Sequence, residues 1–112
     1  MMNQTIDLLE HAEALDDYWA PRVVGQVNDQ YIKVAKLKGA FTWHQHDDED
    51  ELFLVLKGCL HIEFEHETIE LNQGAFFVVP RGTPHKPVAH EECLIALIET
   101  VTTKHTGDVE SP

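Results

Sequence analysis

The sequence predicts an all-β barrel preceded by one short helix. Three observations carry that prediction. Apolar and polar residues alternate with period two through most of residues 19–100. Turn residues punctuate these runs at short, regular intervals, as in Asn28-Asp29, Gly39, Gly58, Asn72-Gln73-Gly74 and Pro80. Helical spacing is confined to the first eighteen or so residues.

In the N-terminal segment, Leu8, Ala12, Leu15 and Trp19 recur at i, i+4, i+7 and i+11, with Ile6 and Leu9 beside them. Thr5 or Asn3 can cap this helix, and Asp7 and Glu10 suit its first turn. Pro21 places its end near Asp16 or Asp17. The segment 1–18 is expected to serve as a lid or packing helix on the main body.

Strands follow. Val23–Val27 precedes the Asn28-Asp29 turn, and Tyr31–Leu37 alternates up to Gly39. Phe41–His46 reads as a strand leading into an acidic turn, and Leu52–Leu56 closes at Gly58. Leu60, Ile62 and Phe64 alternate with His61, Glu63 and Glu65, the pattern of a sheet with one wet face. Ile69–Leu71, Phe76–Val79 and Leu94–Ile98 complete eight or nine strands, a barrel or double sheet over residues 19–101. Residues 76–79 and 93–98 are apolar on both faces. A partner subunit would cover the second face, which predicts a homodimer. The polar tail, residues 102–112, is expected to be loosely held.

Composition excludes several classes of function. The 112 residues make one domain, with 8 Lys and Arg against 20 Asp and Glu, a net charge of −12. Such a chain repels phosphate backbones and anionic bilayers, so neither nucleic acid nor membrane is an expected partner. No stretch approaches the roughly 20 apolar residues of a membrane span, and the N-terminus lacks the basic and apolar segments of a secretory signal. Cys59 and Cys93 lie in apolar runs without CxxC spacing, which reads as buried free thiols in a reducing cytoplasm.

The histidines carry the chemistry. His44 and His46, one residue apart in an expected strand, put two imidazoles on one face while Trp43 and Gln45 point away. Glu51 opens the next strand, and His85 follows the stiff turn Pro80-Arg81-Gly82-Thr83-Pro84. Three imidazoles and a carboxylate suit one divalent transition ion, Mn, Fe, Ni, Co or Zn, and leave positions for water or substrate on a six-coordinate ion. His61 and His66 read as solvated surface, and His11, His90 and His105 lack a partner at ligand spacing. Asp47, Asp48, Glu49 and Asp50 read as a solvated loop rather than a second cation site. Arg81 and Lys86 flank His85, too few basic groups to hold a phosphate.

The stretch from Gly39 through His44, His46 and Glu51 to Gly58 resembles the first motif of the cupin superfamily: glycine, spacer, HxH, a short gap, Glu, six residues, glycine. Gly74–His85 is similar to the second: glycine, five residues, PxG, two residues, His. The spacer before His44 is one residue shorter than usual, and Ala89 stands where the second motif commonly has asparagine. The resemblance implies a double-stranded β-helix, or jelly-roll barrel, with a metal bound inside by His44, His46, Glu51 and His85. It covers sugar isomerases, dioxygenases, lyases and decarboxylases, and the fold does not choose among them. Three readings follow: a metal-dependent enzyme on a small oxygen-bearing metabolite, a non-catalytic small-molecule binder or sensor, and a module that the ion merely pins. Phe41, Phe53, Phe76 and Val78 are candidates for the pocket wall. The residues supply no general acid or base, since neither Tyr18 nor Tyr31 can be placed near the ion.

Overall fold

The computed structural model describes residues 4–107. Helix α1 (Leu8–Glu13) precedes seven strands: β1 (Arg22–Val27), β2 (Gln30–Ala40), β3 (Glu51–Lys57), β4 (Cys59–Glu63), β5 (Thr68–Asn72), β6 (Phe76–Val79) and β7 (Lys86–Thr100). All the strand pairings are antiparallel, in an all-β barrel with little helix.

The helix is shorter than its apolar spacing predicts. Asp7, not Thr5, caps it by accepting a bond from the Glu10 amide at 3.0 Å; Asn3 lies outside the described residues. The spacing runs on to Trp19 because the loop after the helix also turns apolar groups toward the barrel, though not onto one cluster. Leu15 is buried just beyond the helix. Trp19 has a positive φ of 59° and packs on a different cluster, its indole N–H donating to the Lys38 carbonyl at 2.9 Å.

Strand β7 is the spine. It pairs with β2 along one edge, and along the other first with β4 (Lys86–Glu63) and then with β3 (Leu94–Lys57 through Glu99–Glu51). One strand can serve two neighbours because the register shifts where Leu37 pairs Cys93 but Gly39 pairs Ala89. His90, Glu91 and Glu92 stand opposite Lys38 alone, two residues in excess, and bulge into solvent at the sheet corner. Gly58 sits against this corner with φ +95°, and a Cβ there would stand 3.0 Å from the Glu92 carbonyl.

Two apolar layers result. Inside the barrel, Ala35, Leu37, Phe53, Val55, Leu60, Ile62, Cys93, Ile95 and Leu97 form the main core. Outside it, Leu94 and Val34 pack under Ala12 and Leu15. This corrects the reasoning about the second face of residues 93–98, which α1 covers within the same chain. The edge strands leave large apolar groups outward: Phe76 at 61% and Val78 at 40% exposed on β6, and Val23 and Val27 on β1. Phe76 and Val78 were candidates for the pocket wall, and neither faces inward.

Candidate metal centre

Residues 41–46 are not the regular strand that alternation predicts. A single bridge holds them: the His44 amide donates to the His85 carbonyl at 3.0 Å, and the His85 amide returns a bond to His44 at 2.9 Å. Two more ties, Phe41 amide to Pro87 carbonyl (2.9 Å) and Gly82 amide to His46 carbonyl (2.7 Å), clamp this loop to the start of β7 and to the loop after β6. The alternation nevertheless survives, with His44 and His46 buried and Trp43 exposed. The bonding partner is a turn rather than a strand, which local periodicity does not register.

One ligand atom each from His44, His46, Glu51 and His85 lies within 4.8 Å of all the others, and all four residues are buried. The structure therefore brings together the whole predicted set. The His46 and His85 Nε2 atoms stand 3.3 Å and 3.5 Å from Glu51 Oε1. The two histidines of the bridge are oriented alike. Nδ1 of His44 lies 2.9 Å from the Thr42 carbonyl, and Nδ1 of His85 lies 2.8 Å from the Thr83 carbonyl. A carbonyl can only accept, so Nδ1 carries the proton in both rings and the Nε2 lone pair is turned inward.

The electrostatics favour donors over charged side chains. Burial holds the His44 imidazole down to about 4, against the Thr42 carbonyl, which raises it. Burial alone would push Glu51 up, but the His46, His85 and Glu99 side chains close beside it outweigh this and hold the carboxylate well below its usual range. Behind Glu51, its cross-strand partner Glu99 is pushed up to about 8 by burial, and then by the hydrogen bond and charge of Glu51. Lys33 Nζ, 2.6 Å from Glu99 Oε1, pulls the other way. The opposite shifts favour the negative charge on Glu51, with Lys33 bracing Glu99 from behind.

The donor set fits a divalent ion. Glu51 Oε1 and His85 Nε2 are buried and lack a hydrogen-bond partner. Buried polar atoms are rarely left so, and one cation shared among them would satisfy them together. Beside the cluster is a cavity of about 30 Å³, lined by Trp19, Phe41, His44, Glu51, Phe53 and His105, among others. The tail helps to close it. The His105 ring centroid is 5.0 Å from that of Phe41, Thr103 and Gly107 are buried, and a Cβ on Gly107 would strike the Gln45 carbonyl and stand 3.0 Å from His44 Cδ2. Residues 102–107, expected to be loose, thus pack on the ligand loop.

Other candidates fall elsewhere. Tyr18 donates to Glu92 at 2.9 Å on the outside, and Tyr31 lies beside Lys33. The acidic run serves as loop acceptors: Asp47 for Gln45, Glu49 for Thr102 and Asp50 for the Arg81 amide. Lys86 faces Glu63 at 3.6 Å. Ala89 is fully buried in the main core, so the position expected to hold asparagine is a packing position. His105 and Trp19 were missed as cavity-lining residues, since neither occurs at a spacing that marks a site.

The comparisons with known proteins agree with this architecture. Residues 31–99 match the family model of the cupin domain. An uncharacterized protein, YdbB, of Bacillus subtilis (strain 168) is 36% identical over 86 residues, 76% of each chain. A cupin-2 domain containing protein from Shewanella frigidimarina NCIMB 400 superposes with TM-score 0.82 at 41% identity, over 85% of this chain and 93% of that one. Protein NMB1881 from Neisseria meningitidis gives 0.79 at 28% identity, over 87% and 99%. The chain belongs to the cupin family.

Proposed function

We propose that His44, His46, Glu51 and His85 hold one divalent transition ion and that the protein is a metal-dependent enzyme acting on a small oxygen-bearing metabolite. The observation that carries this reading is the convergence of three imidazoles and one carboxylate on a single buried point. The ion would supply Lewis acidity toward a substrate oxygen. The chain supplies the rest. Glu51 brings one negative charge, leaving the site formally at +1. Thr42 and Thr83 fix the rings of His44 and His85. Trp19, Phe41 and Phe53 keep water from the cavity side. A groove of about 470 Å³, lined by Phe64, Phe77, Pro80, Thr83 and Pro84, runs beside the His85 loop and is of a size that small ligands use.

The narrow cavity beneath residues 103–107 favours a second reading, a non-catalytic binder or sensor in which the ion orients a ligand or pins the barrel. Elemental analysis of the purified protein, with oxygen uptake followed after anaerobic ferrous loading, separates these. Near-stoichiometric metal in the wild type, falling sharply in His46→Ala, is expected of the site. Iron-dependent oxygen uptake with a metabolite pool marks a dioxygenase, and turnover without it marks isomerase or lyase chemistry. Metal without any turnover selects the binder, and failure to take up metal on titration overturns the site itself.

We also propose a homodimer through β6, whose Phe76 and Val78 are its outward apolar groups, and a cytoplasmic location, which suits two free thiols. Sedimentation showing a monomer at micromolar concentration removes the dimer. Among the described residues, no helix is long and apolar enough to cross a membrane.

A further inference from the structure

A second group of metal-ligating side chains lies on the outer face of the sheet, away from the barrel interior. Cys59 and His61 are two residues apart on β4 and so share a face, while Leu60 and Ile62 between and beyond them fill the core. Glu70 of β5 is directly opposite His61 in register and diagonal to Cys59. One donor atom from each, a thiol sulfur, an imidazole nitrogen and a carboxylate oxygen, lies within 4.8 Å of the other two.

The surroundings single out this trio from ordinary surface polarity. His61 Nε2 is 3.2 Å from Glu70 Oε1, yet its Nδ1 is buried and has no hydrogen-bond partner. His90, on the corner bulge of β7, stands edge-on to His61 with ring centroids 4.9 Å apart and limits how that ring can turn. Cys59, expected among the buried thiols, is only partly buried, unlike Cys93. Solvent and ions can therefore reach its sulfur.

We propose that Cys59, His61 and Glu70 form a second metal site, selective for a zinc-type divalent ion. A mixed sulfur, nitrogen and oxygen set prefers borderline-soft ions to magnesium or calcium, which favour oxygen alone. Three protein donors leave a tetrahedral ion one position for water or an external ligand. This site shares no ligand with the barrel centre and stands or falls independently of it.

Cobalt(II) distinguishes the two centres, because only the outer one contains sulfur. Titration of metal-free protein with cobalt(II) should show thiolate-to-cobalt charge-transfer absorption, which zinc(II) then bleaches. Cys59→Ser should abolish that band, and His61→Ala should weaken the binding behind it roughly tenfold or more. Cys93→Ser and His46→Ala should keep it, and the Cys59→Ser protein should still take up cobalt at the barrel centre. A wild type without the band, or a band that persists in Cys59→Ser, overturns the outer site. Should His46→Ala not fold, the comparison of wild type with Cys59→Ser decides alone.

Discussion

At the scale of single residues, His44 shows how burial sets chemistry. Its imidazole stays neutral in the folded protein down to about pH 4, whereas an unfolded chain protonates it near its ordinary value of 6.5. Between those values the unfolded state binds more protons, so acid favours unfolding. The contribution is fully present above about pH 6.5 and disappears as pH falls toward 4. Urea denaturation of metal-free protein across this range should lose on the order of 2–3 kcal/mol from this group; a flat profile would mean that water reaches the ring. Glu99 tests the same physics from the other side of the site. It is 2% exposed and paired with Lys33, itself 13% exposed. Glu99→Leu leaves that ammonium without its acceptor and should cost about 1–3 kcal/mol in thermal or chemical unfolding.

At the scale of elements, α1 takes the packing role of the two that its sequence suggests. The helix does not cover the site; it seals the outer face of β7 and β2 through Ala12 and Leu15. Leu15→Ala should therefore destabilise the fold by about 2–4 kcal/mol while leaving metal affinity nearly unchanged, measured by calorimetric unfolding and metal titration of one preparation. Residues 103–107 are nearer the chemistry. Gly107 has φ +76° and no room for a Cβ beside Gln45 and His44. Gly107→Ala should lift the segment, raise amide hydrogen exchange over 103–107 and speed metal exchange, with little change in global stability. Unchanged exchange in that variant would show that the cap does not control access.

At the scale of the whole molecule, the barrel sequesters three imidazoles and a carboxylate from water, a cost that one bound cation would offset. Ligands that bind only the folded state stabilise it by mass action. Loading the barrel centre at about a thousand times its dissociation constant should raise stability by roughly 4 kcal/mol, visible as a higher melting temperature that a chelator reverses. A melting temperature indifferent to metal would argue against the centre. The net charge of −12 acts at this scale too, attracting cations to both proposed sites and turning anionic partners away.

Much of this was legible in the sequence because it depends on local order. Alternation at Leu60, Ile62 and Phe64 marked one face as inward, and the spacing of His44, His46, Glu51 and His85 marked the inner cluster that the fold brings together. Periodicity determines which way a side chain points, and glycine and proline determine where a run must turn. Tertiary structure decided what meets across strands. His61 read as solvated and Cys59 as buried until β5 came into register beside them. The second face of β7 read as an interface until α1 folded onto it, and the tail read as loose until Gly107 closed against His44. Those contacts depend on register, on a bulge at the sheet corner and on chain segments brought together from distant positions, none of which leaves a repeating trace in a single strand.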